Sequence, residues 1–150
     1  MLERLDKNGV TVLELIVTVA ALIVAIVIIP PMLRTFVSKT HDIRRTSNVK
    51  ELQSALQMYY LYNGIYPIVY PAQKIDGKDL LSKTLKQSFL VLGTRLPVDP
   101  MSPTFDYIYE SSRDGKNFTI TYCLELTIDE LQKAGCDNKA YPKPMVTEEK

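Results

Sequence analysis

The stretch VTVLELIVTVAALIVAIVIIPP, residues 10–31, decides how the rest of this chain can fold. With Met32 it forms a nearly continuous apolar run in which Glu14 is the only charged residue. A helix over this run would be roughly 35 Å long at about 1.5 Å rise per residue. The hydrocarbon core of a bilayer is about 30 Å thick. The sequence therefore predicts a membrane-spanning helix over residues 10–32.

Two features interrupt this apolar run. Moving the Glu14 carboxylate to the bilayer centre would cost at least about 2.5–3.5 kcal/mol, so its presence indicates a function and requires a partner. Pro30 and Pro31 close the run, and a proline removes a helical hydrogen bond and crowds the preceding turn. We expect the helix to kink, melt locally or restart at this point.

Three markers at fixed offsets connect this stretch to a known family. Gly9 precedes the run, Glu14 is the fifth residue after it, and Pro31 follows Glu14 by 17 positions. The string KNGVTVLELIVTVAALIVAIVIIPP thus resembles the N-terminus of type IV pilins and type II secretion pseudopilins. Two features depart from the family pattern: Val10 stands where Phe or Met is usual, and the leader carries acidic as well as basic residues.

The resemblance implies a role for each marker. Prepilin peptidase would cleave between Gly9 and Val10 and methylate the new amine, so residues 1–9 would be a leader. Glu14 would pair with the Val10 amine of a neighbouring subunit, and Pro31 would mark a weak point in the helix. An unpaired charge in an apolar bundle is costly, so such a pair forms only in the correct register. Repetition of this contact without closure produces a helical polymer.

The amphipathic continuation covers residues 33–63. Its apolar side chains recur at i, i+3, i+4 and i+7, which is one face of a helix: Leu52, Ala55, Leu56 and Tyr59. We expect this face to pack on a sheet. The helix should stop at Asn63-Gly64, since Gly readily adopts the left-handed conformation that ends helices.

Residues 64–150 are predicted to form a globular head. We expect two alternating strands, residues 105–110 and 117–126, joined by an Asp-Gly turn. Asp79 should cap a short helix over residues 79–92. Residues 65–70 are interpreted as an extended connection, 73–77 as a loop, 127–134 as a helical turn and 140–150 as a loose tail. The LPVDP segment at residues 96–100 also resembles the pseudopilin pattern.

Composition limits the function classes. The 150 residues allow one small domain beside the span, and the net charge of +1 with scattered Lys and Arg offers no bulk attraction for nucleic acid. The segment GKD lacks the glycines of a phosphate loop. A Ser/His/Asp site would depend on His41, the single histidine. The sequence therefore predicts neither a catalytic constellation nor a cofactor.

Cys123 and Cys136 have two interpretations. Export into an oxidising compartment favours a disulfide, and many pilins close a C-terminal loop with one bridge. The alternative is two unrelated buried thiols. A zinc site is disfavoured because two Cys and the distant His41 make a poor ligand set.

Two clusters of charged residues have mainly structural interpretations. His41, Arg44 and Arg45 are expected to form a solvated helix face, with a DNA contact as the alternative. Four aspartates could contribute to a calcium loop, but their spacing matches no calcium-loop template; they are Asp99, Asp106, Asp114 and Asp129. We predict no metal site.

The sequence thus predicts an α+β protein with a long N-terminal helix against a small antiparallel sheet. The expected function is that of a filament subunit, polymerised with itself or other pilins by an inner-membrane assembly platform. It would be a single-pass membrane precursor and then an extracellular or periplasmic filament. The alternatives are a single-span anchored periplasmic enzyme or binding domain, a DNA-uptake competence pseudopilin, or an ordinary secretory signal cleaved after the apolar run.

Overall fold

The computed structural model describes residues 11–88 and 96–143. It divides into two compact units, Met1–Val37 and Ser38–Lys150. Gly9 and Val10, the last four residues of the predicted 79–92 helix and most of the predicted tail lie outside the described residues. The described elements are one long helix, one short helix and four strands.

Helix α1, Val12–Asn63, is 52 residues long and confirms the predicted long N-terminal helix. Thr11 caps its start, because the Thr11 Oγ1 accepts a hydrogen bond from the Glu14 amide at 3.2 Å. Its end is also as predicted: Gly64 has φ of 73°, and its amide donates to the Tyr60 carbonyl at 2.8 Å.

The predicted local melting or restart at the prolines is wrong. Helix α1 continues through Pro30 and Pro31 without a break in its helical assignment. The φ that the proline ring enforces is itself helical, so each proline removes one donor without forcing the chain out of the helix. The Thr35 hydroxyl donates to the Pro31 carbonyl at 3.1 Å.

The amphipathic part of α1 forms one wall of the core. Leu52 and Leu56 are fully buried, Val49 and Ala55 are nearly so, and Tyr59 packs against them at the margin. The helical spacing of these residues, read from the sequence, correctly predicts this buried face.

The opposite wall is a four-stranded antiparallel sheet in the order β1-β2-β3-β4. The strands are β1 Gln73–Ile75, β2 Tyr107–Ser111, β3 Phe118–Leu124 and β4 Gly135–Ala140. Alternate side chains of β2 and β3 point inward, among them Tyr107, Tyr109 and Ile120, each with no exposed surface. Burial raises the pKa of Tyr107 to about 12, although the hydrogen bond with Asn48 acts against this. The α+β class is confirmed.

Helix α2, Leu80–Ser88, packs Leu81 and Leu85 into the same core. Its predicted cap is present, since Asp79 Oδ1 accepts a hydrogen bond from the Ser82 amide at 2.8 Å. An aspartate side chain at this position satisfies an amide that has no partner within the helix.

Three local predictions are wrong. The predicted 73–77 loop contains β1, which pairs with residues 107–109 of β2. The 127–134 segment is not a helical turn in the structure: Asp129 Oδ1 accepts hydrogen bonds from the amides of Leu131 and Gln132, an alternative to helical bonding. The sequence predicted no strand over Gly135–Ala140, which pairs with β3 as an edge strand and includes Ala140, the first residue of the predicted tail.

Candidate functional site

The apolar half of α1, residues 12–37, exposes far more continuous apolar surface than the surface of a soluble globular protein normally does. Its aliphatic side chains are exposed along its whole length, and none of its most apolar 18-residue window is buried. An exposed apolar surface this long indicates a membrane or protein partner. Length and composition make it compatible with a single membrane span.

Glu14 lies in the first turn of this apolar half with its side chain exposed. It is the only acidic residue among residues 12–37. Thr11 and Glu14 have the spacing of a capping box, in which Glu or Gln can serve at the fourth position. A carboxylate here also interacts favourably with the N-terminal end of the helix dipole. The capping box would accept a neutral Gln as readily as Glu14. Within a membrane or helix bundle, the negative charge of Glu14 therefore calls for a cation from outside this chain.

A second site was missed by the sequence reasoning: a buried ionic cluster around Arg45, hereafter the Arg45 cluster. Arg45 has no exposed surface. Its guanidinium forms a bidentate pair with Asp99, in which Nε donates to Oδ2 at 2.9 Å and Nη2 donates to Oδ1 at 3.3 Å. Its Nη1 also donates to Asp42 at 2.8 Å and to Glu125 at 2.9 Å. Arg45 thus joins α1 to the segment before β2 and to the loop after β3.

Asp42 extends the cluster to the backbone. Its carboxylate accepts hydrogen bonds from the amides of Glu125, at 3.0 and 3.1 Å, and of Leu126, at 2.8 Å. A buried charge is tolerated only when it is paired and hydrogen-bonded. Among the described residues, no buried side-chain polar atom lacks a partner.

The prediction of a solvated basic face at His41, Arg44 and Arg45 is therefore wrong for Arg45. Arg44 is exposed as predicted, and His41 is partly buried, with Nδ1 3.0 Å from Glu125 Oε1. Asp42 and Arg45 stand three residues apart, which places them on one helix face. That spacing was the available signal, but the acidic partners Asp99 and Glu125 lie far away in sequence.

Hydrogen bonds within the cluster favour the ionised forms of Arg45 and Glu125. Burial disfavours the charged guanidinium, but hydrogen bonds with Asp99, Asp42 and Glu125 outweigh it and raise the pKa of Arg45. Burial likewise opposes ionisation of Glu125, yet hydrogen bonds from Ser38, His41 and Arg45 lower the pKa of its carboxyl. The arrangement therefore stabilises a fixed set of charges.

The residue types of a nucleophilic triad meet at Ser38, His41 and Glu125, but their spatial order differs from that of a working triad. The Ser38 hydroxyl donates to Glu125 Oε2 at 2.6 Å, and His41 contacts the other carboxylate oxygen. In a working triad the imidazole stands between hydroxyl and carboxylate, where it can take the hydroxyl proton. Here the carboxylate stands between them, and this geometry does not activate Ser38.

Cys123 and Cys136 are joined by a disulfide across β3 and β4. Cys123 is buried and Cys136 exposed. The bridge closes the loop that carries Glu125, so it restrains one arm of the Arg45 cluster.

The structure does not bring together the four aspartates considered for calcium. Asp99 binds Arg45, Asp106 binds Lys74 at 2.8 Å, and the other two engage their own turns: Asp114 and Asp129. Within residues 11–88 and 96–143 no group of three or more His, Cys, Asp or Glu side chains is placed to hold a metal ion.

Comparison with protein-family models found no match, and comparisons with curated proteins and with solved structures found no significant match.

Proposed function

We propose that this chain is the structural subunit of a type IV pilus-like or type II secretion pseudopilus-like filament. The subunit is held in the inner membrane by its apolar helix, trimmed after Gly9 by prepilin peptidase, and polymerised by an assembly platform. It then forms an extracellular or periplasmic fibre with copies of itself or with other pilins.

One observation carries the proposal: a single continuous helix has an exposed apolar half with one carboxylate in its first turn and an amphipathic half that packs into a head. The apolar half suits a bilayer before assembly and a bundle of helices afterwards. In a bundle, Glu14 requires a cation, and the amine of a trimmed Val10 in a neighbouring subunit would supply it.

The Arg45 cluster supports the same function. A subunit pulled from a membrane by its helix must carry its head with it. Arg45 joins the amphipathic half of α1 to the head through ion pairs with Asp99 and Glu125, in addition to the apolar packing. Charge-assisted hydrogen bonds are the stronger and more directional kind.

Replacement of Glu14 by Gln tests the assembly role. Gln keeps the size of the side chain and can serve in the capping box, so the variant removes only the charge. We expect insertion and trimming to persist and sheared fibres to be lost. The measurement is immunoblotting and electron microscopy of fibre and membrane fractions from cells that contain the assembly machinery.

The matched control is Glu51→Gln, an exposed carboxylate on the amphipathic half of α1. It should leave the fibre yield unchanged. Normal fibre yield from fully trimmed Glu14→Gln protein would contradict the pairing mechanism. An unaltered chain that stays monomeric in the membrane would favour a single-span anchored domain instead.

A further inference from the structure

A groove on the head, beside the loop after β3, is open and apolar. It has a volume of about 390 Å³ and is lined by Lys39, Asp42, Ile43, Leu126, Thr127 and Ile128. Ile43 is 58% exposed and Ile128 is 50% exposed. Asp42 is occupied by the Arg45 cluster, so an occupant of the groove meets mainly apolar side chains and the exposed Lys39 cation.

The loop beside the groove adds a further apolar side chain and two carboxylates. Leu131 is 90% exposed, more than any other large apolar residue that the structure describes outside the apolar half. Asp129 and Glu130 are both exposed. One oxygen of Asp129 binds its own loop, whereas Glu130 forms no ion pair within the part of the chain that the structure describes. An occupant of this surface should therefore combine apolar side chains for the groove with a positive charge placed at Glu130, away from Lys39.

This chain carries such a segment itself. Arg34 is the only cation in the apolar half of α1, and it has no ion-pair partner among residues 11–88 and 96–143. Leu33 and Val37 are spaced four apart on one helix face and are exposed. In a bilayer, an arginine near the end of a span can reach the headgroups. In a fibre it loses them, and an unpaired charge among apolar helices is costly.

We propose that the groove and its acidic loop receive the Arg34 segment of a second copy of this chain. Leu33 and Val37 of that copy pack against Ile43 and Ile128, and its Arg34 pairs with Glu130. The contact is heterologous, because each copy presents the groove with one surface and the Arg34 segment with another. A heterologous contact continues as a helical polymer when the rotation between copies does not close into a ring.

This inference rests on the proposed filament function and names a second contact within it. Charge complementarity favours a copy of the chain over a membrane surface as the occupant. Asp129 and Glu130 would be repelled by anionic lipid headgroups but attract Arg34. Every subunit of a fibre would carry both halves of the contact at high local concentration.

Cysteine cross-linking in fibres tests the contact. The full-length chain with Arg34→Cys and Glu130→Cys is expressed with its assembly machinery, and sheared fibres are mildly oxidised and run on non-reducing gels. We expect a ladder of dimers, trimers and higher species. Each single variant should give monomers, as should the pair Arg34→Cys with Glu110→Cys. Glu110 is exposed on β2, opposite the end of β3 that is remote from the loop.

The outcomes separate this contact from the filament function. Fibres of the double variant without cross-links, or with dimers alone, would overturn the contact and leave the filament function standing. Failure of the unaltered chain to form fibres would overturn the filament function and this contact with it.

A charge exchange provides a second measurement. Arg34→Glu and Glu130→Arg should each lower fibre yield by at least about tenfold, since each leaves like charges opposed. The two changes together should restore most of the yield. A failure of the combined variant to recover, with both proteins inserted and trimmed, would count against the pairing of Arg34 with Glu130.

Discussion

At the scale of single residues, Arg45 and Arg44 show how far two adjacent arginines can differ. Arg44 points to solvent, and Arg45 is enclosed by three carboxylates. The difference arises because helix geometry turns successive side chains by about 100°. Arg45 therefore faces the interior of the head while Arg44 faces water.

Replacement of Arg45 by Ala should lower the free energy of unfolding by about 3–5 kcal/mol, because it leaves the carboxylates of Asp99 and Asp42 buried without a counter-charge. Arg44→Ala is the matched control and should change stability by no more than about 0.5 kcal/mol. Urea unfolding of the full chain in mild detergent, followed by near-ultraviolet circular dichroism of its nine tyrosines, measures both. Equal effects of the two substitutions would contradict the importance of the cluster.

The lowered pKa of Glu125 predicts a pH dependence of stability. Its ordinary value is 4.5, and the folded protein holds it lower. A depressed folded pKa contributes stability above the unfolded value, and this stability is lost as pH falls through the folded value. The free energy of unfolding should therefore fall below about pH 4.5, and less steeply in Glu125→Gln. An identical acid slope in variant and unaltered chain would refute this role.

At the scale of elements, the loop between β3 and β4 connects the Arg45 cluster to the edge of the sheet. It begins with Glu125, whose side chain and amide both belong to the Arg45 cluster. The loop ends at the start of β4. The pairing of β3 with β4 is irregular near this loop, with a register shift between Tyr122 and Leu124 of β3. The disulfide from Cys123 to Cys136 spans that irregularity and holds the two strands together.

Removal of this disulfide should destabilise the head and loosen the loop. Cys123→Ser with Cys136→Ser should lower the free energy of unfolding by about 3 kcal/mol, the chain-entropy value for a loop of this size. Amide hydrogen exchange should rise first at Glu125 and Leu126, whose amides bind Asp42. A change below about 1 kcal/mol, or exchange confined to other strands, would contradict this account.

At the scale of the whole molecule, the chain combines two kinds of surface. The Ser38–Lys150 unit buries an aromatic and aliphatic core, and the apolar half of α1 exposes nearly every aliphatic side chain it has. Burial of apolar side chains in the Ser38–Lys150 unit is typical of a globular protein in water. The exposed apolar half requires lipid or other helices around it.

The proposed life cycle predicts a defined mass change. Trimming after Gly9 followed by methylation should give a mature chain of residues 10–150 with one added methyl group. Intact-mass spectrometry of protein from the membrane and from sheared fibres measures this. A mature chain that retains residues 1–9, or that starts after Pro31, is incompatible with the proposal.

Local pattern was sufficient for the elements whose causes are local. The apolar run, the spacing of Leu52 and Leu56, the Asn63-Gly64 stop and the alternation of β3 each reflect a periodicity or conformational preference that neighbouring residues share. The α+β class followed from these elements. The apolar half and its single carboxylate, Glu14, could likewise be identified from the sequence, since a charged residue within an apolar run is evident there.

The tertiary structure alone decided what distant residues do together. The short polar strands β1 and β4 form because their backbones pair with β2 and β3. Their own side chains show no alternation that would predict a strand. Arg45 is buried because Asp99 and Glu125, 54 and 80 positions away, approach it in the fold. A pattern of neighbours reports helix and strand, whereas a buried charge depends on partners that only the folded chain brings within hydrogen-bonding distance.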